Sequence, residues 1–287
     1  MDHLSAIQYV RRMRGGSQSQ LMRANDGNYY VVKFQNNPQG VRILANETLG
    51  ALCASLLALP VAPVVIIDVN QELIHFSDDM RIQLAHSRED CQAGLCCGSL
   101  FATSARTFLP GSLPLEMLQN TSDFLGMLVF DKWTGNTDWR QVIFTGHGGG
   151  CLYKAMMIDQ GNCFGDKEWA FHDGALQGLC HYREVYHQVI GLPDFEPWLC
   201  RLEQGINLEM LRGASELIPA EWYKHDYRAL QLLLSQLDAR RMHVRGILTS
   251  ALRSPGSYFP NVSLGQLFYP ETIQTPARVR RKSVGGY

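Results

Sequence analysis

The sequence predicts an α+β chain in two unequal parts, a strand-rich N-terminal third and a mainly helical remainder. Three observations carry that expectation. Before residue 98, β-branched and aromatic runs such as Tyr29-Tyr30-Val31-Val32-Lys33-Phe34 alternate with turn signals around one helical stretch. From Phe101 onward, apolar residues recur at helical spacing. A single hairpin interrupts that second part, and it separates two acidic residues, Asp138 and Asp159, by 21 positions.

In chain order, Arg14-Gly15-Gly16-Ser17-Gln18-Ser19-Gln20 is small and polar, lacks proline and lies between apolar segments, which predicts a loop. Asn25-Asp26-Gly27-Asn28 is a hairpin signal ahead of the Tyr29–Phe34 strand. Gln39 to Leu59 reads as a helix, because Val41, Leu44, Thr48, Leu52, Ser55 and Leu56 fall near helical spacing. Glu47 lies inside it, fourteen residues after Lys33. Pro60 and Pro63 mark its exit. Val64–Val69 and Leu73–Phe76 are expected to pair as a hairpin around Asn70-Gln71-Glu72, with Ser77–Gly94 as a polar surface insertion. Cys96–Phe101 is the expected hinge between the two parts.

In the second part, a helix is expected after the N-cap Ser122-Asp123, burying Phe124, Met127 and Leu128 and ending near Asp131. Val142–Thr145 and Cys151–Ile158 are short strands, and the Gly146-His147-Gly148-Gly149-Gly150 turn between them needs residues tolerant of positive φ. Phe195–Gln204 and Ala220–Leu252 complete the helical pattern, the latter as one bent helix or two. From Ser254 the chain carries four prolines and ends in the basic run Arg278-Val279-Arg280-Arg281-Lys282. A solvated terminus and a docking tail are both open readings of it.

Composition narrows the function. A 46% hydrophobic fraction suits a full globular core, and a formal net charge of −1 argues against a surface that coats nucleic acid. The charged fraction of 18% is low enough to leave apolar surface for a partner. No apolar run reaches membrane-span length and no secretory signal is visible, so a cytoplasmic protein is expected. The eight cysteines include no Cys-x-x-Cys pair and follow apolar elements, which favours reduced, buried thiols. A zinc site from Cys91, Cys96, Cys97 and Cys180-His181, and cysteine nucleophilic catalysis, are the minor alternatives.

A loop carboxylate, a hairpin and a strand-end carboxylate suit phosphoryl transfer, in which one acid accepts the acceptor hydroxyl's proton and the other holds metal on the phosphates. That chemistry also calls for a glycine-bearing loop over the phosphates, a strand lysine and a helix glutamate to hold it. Gly15-Gly16, Lys33 and Glu47 occur in that order. Each is weak alone; the ordered set is not.

With YYVVKF (29–34), ANETLGALCASLLALPVAPV (45–64), SDFLGMLVFDKWTGNTDWRQVIF (122–144) and MMIDQGNCF (156–164), the chain resembles the HipA-like kinase family from about Ile7 to Leu252. This is a bacterial branch of the protein-kinase-like fold, and the similarity is greatest to its small-domain members of unassigned role. The resemblance implies a two-lobed protein-kinase-like fold: a β-rich small N-lobe over 1–98, a mainly helical C-lobe over 99–255 and a flexible tail over 256–287. It implies ATP and Mg²⁺ between the lobes and transfer to a Ser or Thr hydroxyl. Gly15, Gly16 and Ser17 would cover the phosphates, Lys33 would contact the α/β-phosphates, and Glu47 would hold Lys33. Asp138 would be the catalytic base and Asp159 the metal ligand.

Five residues after Asp138, where many kinase-like enzymes carry a metal-binding Asn, stands Ile143. Gln141 is the nearest replacement metal ligand. A register in which Asp131 is the base and Asn136 the amide is the alternative. Arg140 would stabilise the transferred phosphoryl, or else support the fold through a nearby carboxylate. Ser17 and Ser19 are candidate autophosphorylation sites. The acceptor is expected to be a protein or a small-molecule hydroxyl, with an antitoxin-like protein partner and no direct contact with membrane or nucleic acid. A small-molecule kinase and a nucleotide-binding pseudokinase are the competing functions.

Overall fold

The computed structural model describes residues 4–146, 152–253 and 258–262. The Gly-turn residues 147–150, Cys151 and most of the tail from 254, including its basic run, lie outside them.

The N-terminal part is a closed barrel. It comprises β1 (Leu4–Arg12), β2 (Gln20–Ala24), β3 (Tyr29–Lys33), β4 (Val64–Val69) and, after an excursion, β7 (Gly94–Leu100), joined in the order β1-β2-β3-β7-β4. All neighbours are antiparallel except β1 and β4, which pair in parallel at Leu4–Ile67. Closure leaves no edge strand among these five. Asn25–Asn28 turns β2 into β3, and Asp26 accepts from the Asn28 amide at 3.0 Å and the Tyr30 hydroxyl at 2.7 Å. Met22, Tyr30, Val32, Ile67 and Cys96 fill the barrel.

Helix α1 (Arg42–Leu56) crosses below the barrel. It starts three residues later than its apolar spacing suggests, because residues 37–41 form a turn in which Asn37 accepts from the Gln39 amide. Its Leu44, Leu49 and Cys53 do not join the barrel core; they belong to one continuous core with Phe124, Trp133 and Leu199. Thus α1 ties the barrel to the helical part. β4 and β7 place alternate side chains in the two cores, so adjacent Cys96 and Cys97 point to opposite sides of the sheet. That geometry separates two thiols of the alternative zinc set.

Leu73–Phe76 is not a strand. Its first three residues fall in α2 (Gln71–His75), which Phe76 ends as C-cap and whose N-cap Asn70 accepts from the Leu73 amide at 2.7 Å. Capping of the first turn therefore prevails over the hairpin expected there. The hairpin lies further on, as β5 (Arg81–Gln83) and β6 (Arg88–Asp90), with Met80, Ile82 and Cys91 buried against the barrel. The segment read as an insertion is thus anchored. Most of Cys96–Phe101 continues β7, and the chain leaves the sheet only at Phe101.

The second part is built around α3 (Asp123–Thr134). Ser122 makes no side-chain cap; Asn120 instead bonds Asp123 at 2.8 Å and both backbone groups of Ala155. Gly135 ends α3 in a left-handed conformation (φ 59°), which directs the chain into the loop at 136–140. A three-stranded sheet follows, from β8 (Ala105–Arg106), β9 (Gln141–Gly146) and β10 (Tyr153–Ile158), in the order β10-β9-β8. The remaining helices are α4 (Glu196–Gly205), α5 (Leu208–Ser215), α6 (Tyr227–Arg240) and α7 (Val244–Arg253), so 220–252 contains two helices after a short turn. Among the described residues, no helix is long and apolar enough to cross a membrane.

Gly126 shows how tightly this part is packed: a Cβ there would come within 2.5–2.6 Å of the Trp198 ring. Gly126→Val is expected to lower stability by about 1–3 kcal/mol through overpacking, measured by urea denaturation. An unchanged midpoint would refute this account of the α3–α4 contact.

Candidate active site

A cavity of about 290 Å³ lies where the barrel meets the three-stranded sheet. Its roof is the loop between β1 and β2, including Gly15, Gly16 and Ser17. Gly15 adopts φ +126°, a conformation that favours glycine. The loop is tethered at Gln18, whose amide exchanges two hydrogen bonds with the Gln83 backbone, at 2.6 and 2.7 Å, and accepts from Arg12. The inner wall, from Val31, Ala62, Leu100, Ile143 and Ile158, is apolar and suits a flat ring. Ser99 to Ala102, where β7 ends, complete the lining.

Lys33 ends β3 and reaches across to α1 and to the end of β10. Its Nζ donates to Glu47 Oε2 and to Asp159 Oδ1, both at 2.7 Å. Lys33 and Glu47 are only 6% and 2% exposed, so this contact is sealed, whereas the Asp159 side chain stays 31% exposed towards the cavity. Burial opposes the ammonium, but Glu47 and Asp159 outweigh it and raise its pKa. Burial likewise opposes the Asp159 carboxylate, but Lys33, Arg140 and the Gly161 amide hold its pKa below the usual range. Gly161 makes this approach feasible. A Cβ there would lie 2.8 Å from Ile43 and 3.4 Å from both Glu47 Oε2 and Lys33 Nζ.

Asp138 sits on the loop before β9. Its Oδ1 accepts from the Trp139 amide at 2.8 Å, and its Oδ2 from Asn162 Nδ2 at 3.3 Å and Gln141 Nε2 at 3.5 Å. Gln141 Nε2 also donates to Asp159 Oδ2 at 3.1 Å, so one amide bridges the two acids. Lys33, Glu47, Asp138, Gln141 and Asp159 therefore converge on one cavity with the glycine loop.

Arg140 does not face that cavity. Its guanidinium is buried, pairs through two nitrogens with Asp131, and donates to the Ile158 carbonyl at 3.1 Å and to Gln160 at 2.6 Å. The side chain turns inward because a buried carboxylate matches its planar fork. The position assigned to it above, on the transferred phosphoryl, is thus not the one it occupies. Burial raises the pKa of the Asp131 carboxyl, against the opposite pull of Arg140 and Asn136. Asp131, the alternative base, is equally sealed. Asn136 links it to the loop above by donating to Asp131 at 2.9 Å and accepting from the Asp138 amide at 3.1 Å.

Three further residues shape the site. Asn46 on α1 is fully buried; its Nδ2 donates to the carbonyls of Gly161, Cys163 and Asp166 and its Oδ1 accepts from Trp169. It clamps the chain that follows Asp159. Asn162 lies within that clamp and lines the cavity. Lys132 donates to the carbonyls of Gly174, Ala175 and Gln177, and the next amide, of Gly178, bonds the Asp138 carbonyl at 3.0 Å. Burial pushes the thiols of Cys97, Cys163 and Cys180 up to about 12, which makes them poor nucleophiles.

The donor set on the cavity floor, carboxylate and amide oxygens with no sulfur or imidazole, fits a hard divalent cation such as Mg²⁺ or Mn²⁺.

Comparison with known proteins agrees with this geometry. A family model described as HipA-like kinase matches residues 6–155. No curated protein matches the chain. Among solved structures, the Helicobacter pylori proinflammatory kinase CtkA is similar at a TM-score of 0.53 and 14% identity, covering 88% of this chain and 99% of that one. A Golgi casein kinase with Mn/ADP bound gives a TM-score of 0.50 at 12% identity, covering 94% of this chain and 77% of that one. At these identities the likeness is one of fold, and the fold is protein-kinase-like.

Two tests follow from the charges. Arg140→Met leaves Asp131 buried without its cation and is expected to cost about 3–5 kcal/mol in urea denaturation, most of it recovered in Asp131→Leu/Arg140→Met. No loss in the single variant would refute the pairing. Because the folded-state pKa of Asp159 is depressed, its contribution to stability is complete above about pH 5 and disappears as pH falls through that lowered value. The difference in urea midpoint between wild type and Asp159→Asn should therefore be flat from about pH 5 to 8 and shrink below about pH 4. A difference that grows on acidification would contradict the assignment.

Proposed function

The chain belongs to the HipA-like kinase family, and from that premise we propose that its cleft binds ATP with Mg²⁺ and transfers the γ-phosphoryl group to a Ser or Thr hydroxyl of a protein. The observation that carries this reading is the convergence of Lys33, Glu47, Asp138 and Asp159 on one cavity beneath a glycine loop. The apolar wall would take the adenine, and Gly15, Gly16 and Ser17 would cover the phosphates. Lys33 would neutralise phosphate charge from a rotamer fixed by Glu47. Asp159 would hold the cation, with an amide beside it as a further ligand, and the cation would draw off charge from the phosphate oxygens. Asp138 would orient the acceptor hydroxyl and take its proton. Position and fixed charge supply most of the rate enhancement, since phosphoryl transfer passes through a loose, highly charged transition state.

A second reading has one specific observation in its favour. Ile143 lines the cavity five residues after Asp138, where its hydrocarbon cannot ligate metal. That favours nucleotide binding with slow or no turnover. The two readings separate on transfer of label from γ-labelled ATP to Ser/Thr peptides and to bacterial lysate proteins.

Asp138→Asn should reduce transfer by about 10²-fold or more while leaving Mn·ADP affinity within about threefold. Asp159→Asn should remove the metal-dependent part of nucleotide binding. Saturating ATP and Mg²⁺ should raise the thermal midpoint of the wild type. No rise at all would overturn both readings; a rise without transfer would select the second.

A further inference from the structure

Two amides reach the paired acids of the cleft, and they differ in how firmly they are held. Gln141 is exposed at the start of β9, and a long flexible side chain loses more entropy when fixed than a short one. Asn162 is set from both sides. Its backbone carbonyl accepts from the Thr137 amide at 3.0 Å and the Thr137 hydroxyl at 3.3 Å, tying it to the loop that carries Asp138. Asn46 holds the carbonyls on either side of it, at Gly161 and Cys163, at 2.9 and 3.0 Å. Its side chain lines the cavity and donates Nδ2 to Asp138 Oδ2 at 3.3 Å. Among the described residues, its Oδ1 has no hydrogen-bond partner.

A primary amide offers a donor and an acceptor at once. Kinase sites of this type commonly hold cations with an aspartate and a separate asparagine. Here the usual asparagine position is the hydrocarbon of Ile143. We propose that Asn162, from the opposite side of the β9–β10 hairpin, supplies the missing amide: its Oδ1 ligates the nucleotide-bound divalent cation while its Nδ2 keeps Asp138 oriented. Gln141 then acts as a displaceable bridge that holds the two carboxylates together until the cation enters. This assignment rests on the nucleotide reading above and identifies which side chain completes it.

The test is titration of Mn²⁺ into the full chain with ADP, followed by electron paramagnetic resonance, with ADP binding in EDTA measured separately. Asn162→Ala is expected to raise the Mn²⁺ concentration for half-saturation roughly tenfold, with metal-free ADP affinity unchanged. Asn162→Asp keeps an oxygen at the same place and adds charge, so it should bind Mn²⁺ at least as tightly as the wild type; a merely structural asparagine would lose affinity in both variants. Gln141→Ala should shift the titration less than threefold. The proposal is overturned if Asn162→Ala matches the wild type, if Asn162→Asp weakens as Asn162→Ala does, or if Gln141→Ala gives the larger loss. A wild type that binds ADP but takes up no Mn²⁺ with it overturns the proposal alone, whereas a wild type that binds no ADP removes the nucleotide reading as well.

Discussion

The ammonium of Lys33 is the point on which the structure turns. It is almost wholly removed from water and is stable there because two carboxylates, Glu47 and Asp159, reach it from different elements. One charge thereby joins the end of a barrel strand, the middle of α1 and the end of β10. Those elements lie far apart in sequence, and the cavity is the space left where they meet. Gly161 is small for the same reason: the third element could not come this close with a side chain in the way.

A second charged group, Arg140 with Asp131, lies just behind the floor of the cleft and has the opposite character. It is sealed completely, and every polar atom of the guanidinium that is bonded goes to protein. The first group keeps one exposed carboxylate for chemistry; the second fixes the backbone on which Asp138 and Ile158 stand. Water access, more than residue type, separates a charge that can act on a ligand from one that positions its neighbours.

Much of this was legible in the sequence, because some signals are local. The Tyr29–Lys33 strand, the Asn25–Asn28 turn, the position of Glu47 on α1 and the strand end at Asp159 all follow from periodicity and turn chemistry. Leu73–Phe76 reads as a strand in sequence, yet β-compatible residues also fill a helical turn once Asn70 caps it. β1 carries no alternation that would mark it as a strand, and its apolar Ile7 and Val10 are exposed. Arg140 left two readings open: an arginine beside a catalytic loop looks the same in sequence whether it turns outward or inward. The roles of Gln18, Asn46 and Asn162 carried almost no sign. A polar amide has no period, and its value depends on carbonyls that only the folded chain brings near; the one available hint was Asn162 within three residues of Asp159.

The helix that carries Glu47 shares its core with the helical part and not with the barrel interior. Lys33 stands on a barrel strand, so its contact with Glu47 spans the seam between the two cores. A substitution in either core that shifts the barrel against α1 would therefore part that pair without touching any residue on the cleft floor.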